Sequence, residues 1–160
     1  MKLPMFFFDK FINELMENNI RVQTIGELSA FPEETRAILA KSIETTKNNT
    51  GMVLCLAMNY GGRREILLAA KRFAEDLNHG KINQEADEAV FESYLMTSEY
   101  PPVDVVIRTS GEQRVSNFLL WQIAYAELVF VEEAWPEFTP ERFHEVLNSV
   151  SQRQRRFGGI

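Results

Sequence analysis

The hydrophobic pattern of the chain changes period several times, and each change marks an element. Phe8, Phe11, Ile12, Leu15 and Met16 recur at helical spacing, so the chain opens on an amphipathic helix that Asn18 and Asn19 end. Ile20–Ile25 is strand-like and closes on Gly26. Pro32 then starts a helix running to about Lys47, with Ala37, Ile38 and Leu39 as its apolar positions. After the turn Asn48-Asn49-Thr50-Gly51, Met52–Met58 is a continuous apolar run of strand length, as expected of a central parallel strand covered on both faces. A loop with two glycines, Asn59-Tyr60-Gly61-Gly62-Arg63, serves either as a tight turn or as backbone that comes close to a ligand or a neighbouring loop. It leads into a strongly patterned helix in which Ile66, Leu67, Ala70, Phe73, Ala74 and Leu77 share one face and Gly80 is the stop.

Lys81–Glu99 is more polar, with one short helix expected around Asp87–Leu95. Tyr100-Pro101-Pro102 leads into a short apolar strand, Val103–Ile107. The polar loop Arg108–Arg114 follows, and then an aromatic-rich helix is expected from near Ser116. Leu128–Val131 reads as a further strand. Thr139 and Pro140 supply an N-cap and a first-turn proline for a last helix, which turns Phe143, Val146, Leu147 and Val150 inward and ends at Gly158-Gly159. Strands alternating with helices predict an α/β fold, a single domain over residues 1–160 with a mainly parallel sheet flanked by helices. The chain starts on a helix with no strand before it to begin the first βα unit, and Met5–Phe8 is very apolar for an exposed terminus.

Composition narrows the function classes. A chain of 160 residues that is 45% hydrophobic sustains one proper core. A net charge of −6 argues against general nucleic-acid binding. Positive charge is local instead, at Arg108, Arg114 and the tail residues Arg153, Arg155 and Arg156; that tail either complements a helix dipole or carries function. The single Cys55 lies in an apolar run and reads as a buried core residue in a reducing compartment, and no Cys/His cluster of metal type exists. Phe118–Val131, the longest nearly apolar stretch, is broken by Gln122 and Glu127 and is too short to span a bilayer. With no signal-peptide pattern either, a soluble cytoplasmic protein is expected.

The candidate chemistry lies between Val103 and Leu128. A strand that delivers a loop to a helix start gathers backbone N–H groups and the positive end of a helix dipole. Arg108, at the end of its strand, is either a ligand group or a structural arginine paired with Glu112 or Asp104. Arg114 follows beyond a Gly-containing loop. Ser116 is placed to cap the helix or to serve a phosphate oxygen. Two arginines, a glycine loop and a hydroxyl at a helix start are the parts a diphosphate needs. Glu127, at the end of an apolar run, needs a cation: one of these arginines, or Mg²⁺, which commonly takes one or two carboxylates with phosphate oxygens and water. His79 and His144 read as surface residues, and no Ser-His-Asp or Cys-His constellation can be assembled.

The stretch DVVIRTSGEQRVSNFLLWQIAYAEL resembles the C-terminal motif of the cis-prenyltransferases, most nearly the bacterial undecaprenyl diphosphate synthases or isoprenyl transferases. NYGGRREI, IGELSAFP, Trp135-Pro136 and the ending RRFGG resemble the family too, so the likeness covers essentially the whole chain. It implies Mg²⁺-dependent addition of isopentenyl diphosphate to an allylic diphosphate such as farnesyl diphosphate, giving a long-chain polyprenyl diphosphate for a cell-wall lipid carrier. It also implies a homodimer, cytoplasmic, with peripheral membrane contact through the lipid product. By the matched motif, Arg108, Arg114, Val115 and Ser116 hold isopentenyl diphosphate and Glu127 takes part in Mg²⁺ binding. Arg156 and Gly158 match the family's tail segment that reaches the neighbouring subunit. Gln113 stands where some relatives have His. The family's His-x-x-x-Asp-Gly-Asn and FSTENW-type segments are absent from these residues, and Met1 aligns inside the helix that walls the family's product tunnel. The resemblance therefore implies a member lacking its N-terminal part, with no catalytic Asp in this chain and little turnover expected of it. The alternative is a non-catalytic fragment or partner subunit that dimerises and at most binds isopentenyl diphosphate.

Overall fold

The structure is a computed structural model that describes residues 11–153, and the chain divides into two compact units, residues 1–60 and 61–160. Each is built on its own pair of parallel strands, which places the fold in the α/β class expected from the alternation of elements.

In the first unit a helix α1 (described over residues 11–17) precedes β1 (Arg21–Ile25), α2 (Glu33–Thr46) and β2 (Val53–Ala57). β1 and β2 pair in parallel from Arg21↔Val53 to Ile25↔Ala57, with α2 as the crossover. Leu15, Val22 and Leu39 form the buried core, and Ile20, Leu54 and Leu56 pack against it. The inward face of α2 differs from the expected one. Thr35, Leu39, Ser42 and Thr46 are buried, while Ala37 is exposed. The small hydroxyl residues satisfy backbone as well as pack: Thr46 Oγ1 donates to the Ser42 carbonyl (2.9 Å) and accepts the Val22 N–H (2.9 Å). β2 is half-buried, with Ala57 exposed, rather than covered on both faces, so Cys55 is half-buried too.

Gly26 ends β1 at φ +109°, and a Cβ there would lie 2.1 Å from the Met58 carbonyl oxygen. Beside it, Asn59 Nδ2 donates to the Glu27 carbonyl at 3.1 Å, tying together the loops that follow the two strands. Gly26→Ala is accordingly expected to destabilise the chain by about 1–3 kcal/mol from backbone strain alone, with the steric clash added. Thermal unfolding checks this; an unchanged Tm would contradict the close approach.

The second unit contains α3 (Gly62–Asn78), α4 (Glu88–Glu92), β3 (Val105–Arg108), β4 (Glu127–Phe130) and α5 (Pro140–Ser151). The expected punctuation holds: Gly80 ends α3 at φ +69°, and Thr139 Oγ1 caps α5 by accepting the Arg142 N–H at 3.3 Å. Asp87 Oδ1 caps α4 by accepting the Val90 N–H at 3.0 Å. Phe73 meets Phe91 and Tyr94 edge-on at 5.8 and 5.7 Å, and Phe91 meets Trp121 at 4.9 Å.

Three expectations fail here. The buried line of α3 is Gly62, Glu65 and Ala69, and Leu67, Ala70 and Ala74 are exposed. α5 buries Val146 and Val150 but leaves Phe143 and Leu147 exposed, and it stops at Ser151, where the Arg153 N–H turns back to the Val150 carbonyl (2.9 Å); Gly158 and Gly159 lie outside the described residues. The third is the helix expected from Ser116, which does not form. Ser116, Asn117 and Leu119 have φ of +47°, +63° and +45°, and residues 116–125 run as successive turns. A right-handed helix cannot pass through left-handed residues.

Candidate functional site

β3 ends on Arg108, and the chain then turns through Ser110 and Gly111, at φ +67° and +65°. This turn is pinned to the segment after β4: the Ser110 N–H donates to the Glu133 carbonyl (2.8 Å) and the Gly111 N–H to that of Val131 (2.9 Å). A Cβ at Gly111 would sit 2.7 Å from Glu132 Oε2, so only glycine fits that approach. The supporting segment is itself anchored, because Arg142 Nε donates to Glu133 Oε1 (2.8 Å) and its Nη1 to Glu145 Oε2 (3.0 Å). The Glu133 carboxyl is held below the usual carboxylate range, chiefly by its own backbone N–H, with the Arg142 guanidinium adding to that.

Arg108 is half-buried and has no ion-pair partner among the described residues. The structural pairing with Glu112 or Asp104 is not made. Glu112 instead pairs with Arg114, whose side chain is 66% exposed. A half-buried guanidinium lacking an internal carboxylate keeps its full attraction for an outside anion. Val115 is half-buried, whereas Ser116 and Gln113 are exposed. Ser116 is not an N-cap, since no helix begins there.

The capping is done next door and at a distance. Asn117 accepts the Gly62 N–H on its carbonyl (2.7 Å) and the Arg63 N–H on its Oδ1 (2.9 Å), closing the start of α3. Gly61 and Gly62 leave room for this: a Cβ at either would lie 2.7 Å from Asn117 Nδ2 or 2.9 Å from the Leu120 side chain. Of the two readings of the two-glycine loop, close approach to a neighbouring loop is the one realised. One turn into α3, Glu65 is 1% exposed. Its carboxylate accepts the Met96 N–H (2.8 Å) and Gln122 Nε2 (2.9 Å), and Gln122 Nε2 also reaches Thr97 Oγ1 (2.8 Å). Sequence reasoning missed Glu65 and Asn117. The NYGGRREI string holds the first, but no periodicity marks a buried acid.

Glu127 is not gathered with the arginines of the loop. It opens β4 opposite Val105, whereas Arg108 lies opposite Phe130, three ladder positions on. That is roughly 10 Å along the strand, and alternation puts the two side chains on opposite faces. Glu127 pairs with Arg153, its Oε2 accepting from Nη1 at 2.8 Å. Neither expected arginine partner is used, because Arg153 emerges from α5 beside the strand start. Among the described residues no three His, Cys, Asp or Glu groups converge on a metal-sized site, and no helix is long and apolar enough to cross a membrane. Arg155, Arg156 and Gly158 lie outside the described residues.

The chain is similar to several known proteins. An isoprenyl transferase of Bacillus subtilis is 46% identical over the whole chain, which spans 62% of that relative's length. The ditrans,polycis-undecaprenyl-diphosphate synthase ((2E,6E)-farnesyl-diphosphate specific) of Micrococcus luteus is 44% identical, with 65% of its length spanned. The crystal structure of lavandulyl diphosphate synthase from Lavandula x intermedia, in complex with dimethylallyl diphosphate, superposes with a TM-score of 0.93 at 35% identity, covering 99% of this chain and 70% of that one. The family model Prenyltransf, undecaprenyl diphosphate synthase, matches residues 1–158. With nearly every residue inside that match, the chain belongs to the undecaprenyl diphosphate synthase family of prenyltransferases.

Proposed function

We propose that this chain carries the isopentenyl diphosphate site of a cis-prenyl transferase, which condenses that substrate onto an allylic diphosphate such as farnesyl diphosphate. The product would be a long-chain polyprenyl diphosphate for a cell-wall lipid carrier, made by a cytoplasmic homodimer. The observation that carries the reading is Arg108: a half-buried guanidinium with no ion pair among the described residues, at the carboxyl end of a parallel strand where α/β folds place their ligands. Arg108 binds the diphosphate as a two-pronged donor, and Arg114, after leaving Glu112, closes on it from the loop. Val115 and Ser116 complete the same loop, with the Ser116 hydroxyl donating to a phosphate oxygen. Held at these points, the homoallylic double bond is kept in one orientation toward the allylic carbon, so positioning supplies much of the rate.

Mg²⁺, in this reaction, would supply positive charge that offsets the charge of the diphosphates. Glu127 is the carboxylate proposed for it by the matched motif, yet its Oε2 is engaged by Arg153 and it does not share a face with Arg108. The described residues therefore do not fit one ion bridging Glu127 to a diphosphate on Arg108 of the same chain, and binding at the loop is carried by the guanidinium groups.

Calorimetric titration of the chain with isopentenyl diphosphate, once with Mg²⁺ and once with the metal chelated, tests the reading. Saturable binding is expected in both arms. A folded chain that shows no binding in either would overturn the reading, and binding that vanishes on chelation would overturn the arginine-borne site.

A further inference from the structure

We infer that Asn117 is a positioning residue for the diphosphate loop, using the start of α3 as the template that sets Ser116 and Arg114. The inference rests on the diphosphate reading given above. Its basis is a pairing of backbone geometry with distant hydrogen bonding. Ser116 and Asn117 are consecutive left-handed residues, a conformation that asparagine tolerates and serine resists. Something must hold them there. The first N–H groups of α3 have no partner within the helix, and the N-cap, Gly61, has no side chain to offer. Asn117 satisfies two of them, one with its carbonyl and one with its Oδ1.

The fit is tight on both sides. Gly61 and Gly62 lack the Cβ atoms that would push Asn117 and Leu120 away. Five residues on, Gln122 bonds the buried Glu65 of the same helix, so the turn segment is stitched to α3 at both ends. Asn117 aims its oxygen at Arg63 and leaves the loop chemistry to its neighbours. Without the stitch, Ser116 relaxes toward ordinary backbone angles and carries Arg114, two residues earlier, out of register with Arg108.

Two substitutions separate the parts. Asn117→Gly keeps the left-handed backbone and removes the Oδ1 bond; Asn117→Asp keeps an acceptor that suits a helix start. Isopentenyl diphosphate affinity is measured by calorimetry for both, for the unsubstituted chain and for Arg108→Ala, below the unfolding onset of all four. Asn117→Gly is expected to lose roughly 10-fold in affinity, and Asn117→Asp to recover most of it. Affinity unchanged in Asn117→Gly, or lost equally in Gly and Asp, would overturn the inference while Arg108→Ala still reports the diphosphate site. If the unsubstituted chain does not bind, or Arg108→Ala binds as well as it does, the diphosphate reading fails and the positioning role falls with it.

Discussion

Replacing Arg108 with alanine is expected to weaken isopentenyl diphosphate binding by roughly 10- to 100-fold, the equivalent of about 1.5–3 kcal/mol for a hydrogen bond to a charged group. Arg108 has no ion-pair partner among the described residues, so its removal breaks no ion pair among them and should leave the Tm unchanged or slightly raised. Binding falls while stability does not, which is the opposite of what a structural arginine would show. Arg108→Lys retains the charge but not the planar fork and is expected to fall between the two. Arg114→Ala should cost less, since that side chain is 66% exposed and must first give up Glu112. Calorimetry at fixed salt measures the series. Equal affinity for Arg108→Ala and the unsubstituted chain would remove Arg108 from the site.

Glu65→Ala is expected to be the most destabilising single change in the second unit. It strands the Met96 N–H and one of the two Gln122 amide hydrogens, the other keeping Thr97 Oγ1; a buried donor left unpaired costs about 1–3 kcal/mol, so a loss of roughly 3–5 kcal/mol is anticipated. Glu65→Gln should be mild for a reason visible in the network. Gln122 Oε1 is buried without a partner, so rotating the Gln122 amide presents an acceptor to the NH₂ that this substitution introduces. The carbonyl oxygen of the substituted side chain still accepts the Met96 N–H. Urea unfolding followed by tryptophan fluorescence compares the two. If Gln proves as harmful as Ala, the hydrogen-bond account of Glu65 is wrong and its charge is what matters.

Much of this was legible in the sequence because local rules and the fold agree. β1 and β2 fall inside the apolar runs that marked them, β3 overlaps its own, and Pro32, Asp87, Thr139 and Gly80 start or stop the expected helices. Those signals are chemical: a proline that fits a first turn, a side-chain oxygen that caps, a glycine that takes positive φ. The loop from Arg108 to Arg114 was readable for the same reason, as polar residues and a glycine between an apolar strand and an aromatic run. Residues 116–125 were not. Phe118, Leu119, Leu120, Trp121 and Ile123 carry a helical apolar pattern, and no glycine warns of the left-handed turns at Ser116, Asn117 and Leu119. What decides their conformation is the start of α3, remote in sequence. Glu65 and the Glu127–Arg153 pair were hidden likewise, because their partners are chosen by packing rather than by spacing.

The cap on α3 also sets an order of events during synthesis. The Arg63 N–H waits for an acceptor 54 residues further along the chain. At about 5–20 residues per second of translation, that leaves α3 with an open start for a few seconds after it emerges. The helix has its own apolar contacts, but Ser116 and Asn117 cannot take their final conformation before Gly61 and Gly62 are docked against them. The anion loop, pinned also to the Val131 and Glu133 carbonyls, thus acquires its shape only after α3 and the segment beyond β4 have both emerged. A nascent chain stalled between these two points would display a formed helix and no ligand site.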